Sequence, residues 1–137
     1  MAKISGPLLD RIDLHIEVPA VKYKDLSSKE SGESSEKIRE RVVRAREFQS
    51  KRFRGRKGMY ANADMQSKEV RGFCKLDAAG EELLKMAITK LGLSARAYDR
   101  ILKVGRTIAD MVGSTEIRPE HVGEAIQYRS LDRNLVV

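Results

Sequence analysis

The stretch SARAYDRILKVGRTIADMVG, residues 94–113, decides the fold class of this chain. Its apolar residues recur at intervals of three and four, the spacing that places side chains on one face of an α-helix. Ser94 can cap the first turn with its hydroxyl, and Gly113 is a natural stop at the C-terminal end. The spacing predicts a helix over about 95–112. Its predicted inward face consists of Tyr98, Ile101, Leu102, Gly105, Ile108, Ala109 and Val112.

Further helices are predicted on both sides of this stretch. The first begins at Ser34 or Ser35 and fades in the glycine-punctuated basic loop 54–58. Shorter helices are expected over about 65–73 and 78–91, and Asp77 can cap the latter. A last helix begins with Pro119, a residue that suits the first helical position. Together these patterns predict a small helical bundle.

The segment at the N-terminus follows a different period. Apolar Leu14, Ile16 and Val18 alternate with polar residues, which predicts a half-buried β-strand that Pro19 ends. Arg11 precedes this strand and has aspartates at positions 10 and 13, which can orient it or cap the turn. The strand has no partner strand in the chain, so we expect it to be disordered, folded onto the bundle, or paired with another copy.

Composition suits one compact domain and excludes several classes of protein. The 137 residues are 34% charged, lack tryptophan and contain one cysteine, so no internal disulfide can form. Cys74 is expected to be a small buried apolar residue, not a nucleophile. No apolar run approaches the ~20 residues that a membrane span needs, and no metal-ligand spacing links His15 with His121. We expect no membrane partner, no metal site and a cytoplasmic location.

The net charge of +7 is concentrated between residues 36 and 57, where ten basic residues accompany three acidic ones. A local basic excess favours a polyanionic partner or an acidic protein surface. Phe53 and Tyr60 flank the stretch and could stack on bases. A solvated helix face or a contact between subunits explains the same charges. The residues predicted to track a nucleic-acid backbone are Arg39, Arg46, Arg54, Arg56 and Lys57.

Three segments resemble one protein family, in the same order along the chain. The run SGPLLDRIDLHIEVP at 5–19 resembles the arginine-finger segment of the magnesium-chelatase-like AAA+ ATPases, and within them the ComM/YifB competence-protein family. The run LSARAYDRILKV at 93–104 resembles the sensor-2 helix of that family. The run HVGEAIQYR at 121–129 is similar to its closing helix. The resemblance covers nearly the whole chain.

The resemblance implies an architecture. Residues 1–21 would be the end of the AAA+ core, with the arginine-finger turn and its strand. Residues 22–35 would be a flexible linker, and residues 36–137 the helical lid domain. The expected fold class is therefore mainly α, a small helical lid preceded by one orphan β-strand.

The resemblance also implies roles for two arginines. Arg11 would be the arginine finger, which reaches the nucleotide of a neighbouring subunit, and Arg96 the sensor-2 arginine. Spacing alone favours Arg11 as a surface residue paired with an aspartate, and Arg96 as a solvated helix residue. Arg100 and Arg106 are expected to be solvated or paired with Asp99 and Asp110.

The family's phosphate-binding loop has no counterpart here, because the pattern GxxxxGK[ST] occurs nowhere in the sequence. We therefore expect a C-terminal fragment that is not an enzyme by itself and binds no cofactor alone. The full-length protein would use ATP and Mg²⁺ and assemble into a ring. It would act on DNA, in branch migration during transformation and recombination. The alternatives are a stand-alone helical nucleic-acid-binding module and a chelatase-type chaperone motor.

Overall fold

The computed structural model describes residues 5–28 and 32–129. Helices account for most of this part of the chain, as the sequence predicted. A 3-10 turn spans Asn62–Asp64. The helices are α1 Gly6–Arg11, α2 Tyr23–Leu26, α3 Ser35–Arg52, α4 Ser67–Phe73, α5 Ala78–Leu91, α6 Ala95–Met111 and α7 Pro119–Gln127.

Helix α6 is the centre of the bundle. It packs against α7, α3 and α4 and against the 3-10 turn, and α5 packs in turn against α7. Small residues of α6 are fully covered, Ala97 and Ala109 among them, so neighbouring helices approach its backbone closely. The core around it is aliphatic, with Met65, Val70, Leu84, Ile101, Leu102, Ile117 and Val122 buried.

The helix ends follow the predicted caps. The hydroxyl of Ser94 accepts a hydrogen bond from the amide of Ala97 at 3.2 Å, which satisfies one free donor at the start of α6. The carboxylate of Asp77 accepts from the amide of Gly80 at 2.7 Å in the same way. Gly92, which was not predicted as a cap, ends α5 with φ of 60°, a left-handed conformation that glycine adopts without steric cost. Local chemistry thus sets these boundaries.

The predicted strand at 14–18 is wrong as secondary structure. Within the described ranges the segment forms no β-ladder, and it lies against the bundle, which was one of the three expected outcomes. The side that turns inward is also the opposite of the predicted one. His15 is buried, whereas Leu14, Ile16 and Val18 are exposed. Without a neighbouring strand the alternating apolar side chains have nothing to cover them, and backbone bonding to the bundle decides which residue is buried.

Two positions on the predicted inward face of α6 also point outward. Tyr98 is 42% exposed and Val112 is 67% exposed. Both lie at the margins of the apolar stripe, where packing and not periodicity decides burial. Helix α2 occupies the beginning of the predicted linker, and residues 29–31 of that linker lie outside the described residues. Across the described ranges, no helix combines the length and apolar character that crossing a bilayer demands.

Candidate functional site

Arg11 is the last residue of α1, not part of a turn that enters a strand. Its side chain is exposed. Among the side chains that the structure describes, no carboxylate forms an ion pair with Arg11. A solvent-facing guanidinium can meet a phosphate with two parallel hydrogen bonds.

Residues 12–15, directly after Arg11, are bound to the bundle; we call them the anchor segment. A guanidinium nitrogen of Arg129 donates a hydrogen bond to the carbonyl of Ile12. The carboxylate of Asp13 pairs with Arg100 of α6 at 2.7 Å. The amide of His15 donates to the carbonyl of Tyr128 at 2.7 Å. The chain after Arg11 is therefore fixed to α6 and to the end of α7.

These contacts correct two predicted pairings. Asp13 was expected to orient Arg11 or cap its turn, but its carboxylate binds Arg100 instead. Arg100 was expected to be solvated or paired with Asp99, whose carboxylate accepts a hydrogen bond from the hydroxyl of Ser67. Asp13 and Arg100 are 87 residues apart in the chain, and no local pattern announces such a contact.

Arg96 lies in the first turn of α6, two residues after the capping Ser94, and its side chain is exposed. Arg100 follows one helical turn later on the same face of the helix. Arg100 binds Asp13 of the anchor segment. The segment that follows Arg11 therefore contacts the face of α6 that carries Arg96 and Arg100. Helix α1 itself also contacts α6. Arg96 and the segment that follows Arg11 are thus connected through α6.

A buried polar network, which the sequence did not reveal, joins α3, the 3-10 turn and α6. Arg52 donates two hydrogen bonds to the carboxylate of Asp110, at 2.7 and 2.9 Å. The amide side chain of Asn62 donates to the same carboxylate at 2.9 Å. Arg106 pairs with Asp110 at 3.2 Å, as one predicted alternative had it, and also donates to the carbonyls of Ser114 and Thr115. Burial lowers the pKa of Arg106, and the charge of Asp110 opposes that shift.

The five residues predicted to bind nucleic acid are all exposed. We call this set the basic surface: Arg39 and Arg46 on α3, and Arg54, Arg56 and Lys57 in the loop that follows. Arg39 and Arg46 are seven residues apart and therefore share one side of α3. Arg56 lies over the ring of Phe73 at 5.0 Å, an arrangement that favours a cation–π contact.

Other arginines between residues 36 and 57 form ion pairs within the chain. Arg41 forms an ion pair with Glu33, and this contact lowers the pKa of the glutamate and raises that of the arginine. Arg52 lies in the buried network. Phe53, proposed as a stacking residue, is buried edge-to-face against Phe73 at 5.6 Å and cannot stack on a base. Tyr60 is 75% exposed and remains free to do so.

Cys74 is buried, as predicted. Desolvation raises the pKa of its thiol to about 11, so the thiol is protonated near neutral pH and is a poor nucleophile. His121 accepts a hydrogen bond from the amide of Arg118 at 2.9 Å, which makes it a cap at the start of α7. Over residues 5–28 and 32–129, no three His, Cys, Asp or Glu side chains converge as a metal site.

Comparisons with known proteins show similarity to one family along nearly the whole chain. The family described as magnesium chelatase, subunit ChlI C-terminal, matches residues 32–129, and magnesium chelatase, subunit ChlI, matches residues 1–26. Competence protein ComM of Haemophilus influenzae is 46% identical to this chain over 134 residues. The match covers 97% of this chain and 25% of that protein. Protein YifB of Escherichia coli, described as uncharacterized, is 44% identical over 98% of this chain and 26% of its own length. The chain thus spans about a quarter of the relatives that it matches.

Proposed function

Because the chain belongs to the magnesium-chelatase-like family of AAA+ ATPases, we propose that it is the C-terminal part of a longer ATPase that assembles into a ring. It would supply the helical lid, an arginine finger and a sensor-2 arginine. The observation that carries this proposal is the placement of Arg11 and Arg96. Both are exposed, Arg96 lies in the first turn of α6, and neither forms an ion pair with a described carboxylate.

Arg11 would act as the finger. Negative charge is spread over the oxygens of the transferring phosphoryl group, and a preorganised guanidinium stabilises that charge more than it stabilises the ground state. The anchor segment supports this role because it fixes the backbone beside Arg11. Fingers of this kind contribute about 10³–10⁵ in turnover in GTPases.

Arg96 would bind the γ-phosphate of the nucleotide as the lid closes. It lies in the first turn of α6, where unpaired backbone amides give a partial positive charge that also favours an anion. ATP and Mg²⁺ are the implied cofactors of the longer protein. The two exposed guanidinium groups fit the phosphates, whereas the described residues hold no acidic cluster for the cation. The phosphate loop and the Mg²⁺ ligands would therefore come from other parts of the longer protein.

DNA is the proposed substrate of the motor. The basic surface supports this assignment, since exposed arginines and lysines contact phosphates without reading sequence. The similarity to a competence protein supports it as well, and the work would be branch migration in transformation and recombination. The basic surface also fits a nucleic-acid-binding module without a motor, but that alternative leaves the placement of Arg11 and Arg96 without a role. A chaperone motor of the chelatase type would need neither DNA nor the basic surface.

Substitution of the two arginines in the longer protein tests the proposal. We expect Arg11→Ala and Arg96→Ala each to lower ATP turnover by at least about a hundredfold while the thermal midpoint stays near wild type. Lysine at either position should rescue poorly, because its point charge lacks the planar fork. Arg71→Ala is the matched control, since Arg71 is exposed and donates to the carbonyl of Ser67 in its own helix. Turnover by Arg11→Ala at the wild-type rate would refute the finger assignment.

A mixing experiment separates action across the subunit interface from general damage. Subunits with Arg11→Ala are combined with subunits that lack the lysine of the phosphate loop. Some interfaces then pair an intact finger with an intact loop, so partial turnover should return. Mixed rings that assemble but stay as inactive as either parent would show that Arg11 does not act on the neighbouring nucleotide.

A further inference from the structure

We propose that Tyr60 stacks on an unpaired base, so that the basic surface binds single-stranded DNA in preference to duplex DNA. This role deepens the proposed function and rests on it only for DNA as the substrate. The starting observation is one exposed aromatic ring beside the cations that follow α3. The side chain of Tyr60 is 75% exposed, whereas Phe53, at the start of the same loop, is 3% exposed.

The residues on both sides of Tyr60 are held by the bundle. Met59 is half-buried and packs against the hydrophobic core. Asn62 is buried, and its backbone amide donates to the side-chain carbonyl of Gln49 on α3 at 2.9 Å. The chain is therefore attached to the bundle before and after Tyr60, while the ring of Tyr60 faces solvent.

The backbone of Tyr60 is itself fixed by one carboxylate. An oxygen of Asp64 accepts hydrogen bonds from the amide of Tyr60 at 2.8 Å and from the amide of Ala61 at 3.0 Å. A tyrosine side chain has only two torsions, so a ring on a fixed backbone loses little conformational freedom when a base stacks on it. The loop thus presents a preorganised ring for a planar ligand.

Cations of two helices lie near the turn that carries this ring. The ammonium of Lys103 on α6 donates to the carbonyl of Ala63 at 3.2 Å. The amide hydrogen bonds that Asp64 accepts lower the pKa of its carboxyl, and the nearby charges of Lys103 and Arg46 lower it further. Arg46 belongs to the basic surface on α3, so Tyr60 lies close to that surface.

The loop before Tyr60 brings further cations to the same place. Lys57 lies three residues earlier, so the two Cα atoms are at most about 11 Å apart. Gly58, with φ of 78°, turns the chain between them. The guanidinium of Arg56 lies 5.0 Å from the ring centre of Phe73, which keeps its charge beside the loop. These charges can contact the phosphates of a strand whose base stacks on Tyr60.

Stacking on a side chain selects unpaired bases. In a duplex both faces of a base are covered by its neighbours, so a protein ring reaches a face only after the bases unstack. An unpaired base offers a free face, and every base has one, so such stacking is tolerant of sequence. Phosphate contacts act on both forms of DNA. A preference for the single strand should therefore depend on Tyr60 and not on the cations.

Fluorescence anisotropy of this chain tests the role, with a labelled oligothymidine of about 16 nucleotides and a duplex of the same length. The unmodified chain should bind the single strand more tightly. Tyr60→Ala should weaken that binding about fivefold to a hundredfold, the range for loss of one stacked base. Tyr60→Phe keeps the ring and should bind like the unmodified chain. Affinity for the duplex should not change in either variant.

Two control variants separate stacking from charge and from general damage. Tyr23→Ala removes a tyrosine that is 83% exposed on α2, outside the basic surface, and should not change binding. Lys57→Gln removes a cation, so it should weaken binding to both forms of DNA and reduce the salt slope by about 0.7 to 0.9. Tyr60→Ala should leave that slope unchanged. Equal thermal midpoints show that all variants are folded.

An abasic oligonucleotide of the same length supplies the last comparison, because it keeps the phosphates and lacks the bases. The unmodified chain should bind it more weakly than oligothymidine, by the same factor that Tyr60→Ala loses on oligothymidine. The Tyr60→Ala variant should not distinguish the two strands. A variant that still prefers oligothymidine to the same degree would show that another residue reads the bases.

Each other result overturns a stated part. Equal affinity of Tyr60→Ala and the unmodified chain for oligothymidine would refute the stacking role, while salt-dependent binding would still support the basic surface. An equal loss on oligothymidine and duplex would mean that Tyr60 contacts the DNA backbone and does not stack. No binding to either DNA would refute the stacking role and the assignment of DNA together. Wild-type turnover by Arg11→Ala would refute the arginine finger and leave these binding measurements unaffected.

Discussion

At the scale of single residues, Asp110 has the most exacting environment in the described part of the chain. Its side chain is 1% exposed and receives hydrogen bonds from Arg52 and Asn62, with Arg106 beside it. Two guanidinium groups depend on this one carboxylate for their charge balance. Its partners come from three separate elements, so the loss of Asp110 should be felt throughout the bundle.

We therefore expect Asp110→Ala to lower the free energy of unfolding by about 3–5 kcal/mol, because it leaves buried cations uncompensated. Urea denaturation followed by circular dichroism measures this change. Glu82→Ala on α5 removes an exposed carboxylate and should stay within about 0.5 kcal/mol of wild type. Equal stability of the two variants would show that the network contributes nothing.

At the scale of elements, α6 has both a structural and a proposed functional task. Its buried face packs against α3, α4 and α7, while its exposed side carries Arg96 and Arg100. The first turn depends on the hydroxyl of Ser94, which binds the amide of Ala97. Arg96 lies inside that turn. The cap therefore contributes to stability and also fixes the backbone of the turn that carries Arg96.

Ser94→Ala should lower the free energy of unfolding by about 1 kcal/mol, whereas Ser94→Asn should remain close to wild type, because asparagine also caps helix starts. Thermal denaturation of both variants makes the comparison. In the longer protein, ATP turnover should follow the same order if the first turn positions Arg96. An asparagine variant as unstable as the alanine variant would mean that the hydroxyl bond is not the source of the effect.

At the scale of the whole molecule, some of the positive charges form ion pairs within the fold, and others are exposed to solvent. Arg52 and Arg106 balance a buried carboxylate, and Arg100 holds the anchor segment. The residues of the basic surface remain exposed and face solvent. The net charge of +7 therefore overstates what a polyanion can contact, and the exposed cations of α3 and its following loop are the relevant part.

We expect this chain to bind duplex DNA weakly and without sequence preference, with affinity that falls steeply as salt increases. Each neutralised phosphate contributes about −0.9 to the slope of log affinity against log salt. Reversal of Arg39, Arg46 and Arg54 to glutamate should abolish binding, or reduce the slope by about three where binding remains measurable. Fluorescence anisotropy over a salt series measures both quantities.

The matched control reverses Lys75, Lys85 and Lys90 to glutamate, an equal change of net charge outside the basic surface. This triple lysine variant should bind DNA more tightly than the triple arginine variant. If both sets weaken binding equally, net charge and not the basic surface attracts DNA. If the unmodified chain shows no binding at low salt, the basic surface is a solvated face or a contact between subunits.

The sequence by itself determined the helical class, most helix boundaries and the family. Caps such as Ser94 and Asp77 act on amides three residues away, and the apolar stripe of α6 repeats within each turn. Such interactions are local, so they can be predicted from the sequence alone. The exposed positions of Arg11 and Arg96 were likewise compatible with their motifs.

Only the tertiary structure decided which distant residues meet. Asp13 pairs with Arg100, 87 residues away, and Arg52 binds Asp110, 58 residues away. His15 is buried in place of its apolar neighbours. The period-2 pattern at 14–18 predicted a strand because it records side-chain alternation, but a strand also needs a partner for its backbone. The physical reason is the same in each case. Pairing between distant groups depends on how whole helices pack, and that information is not local.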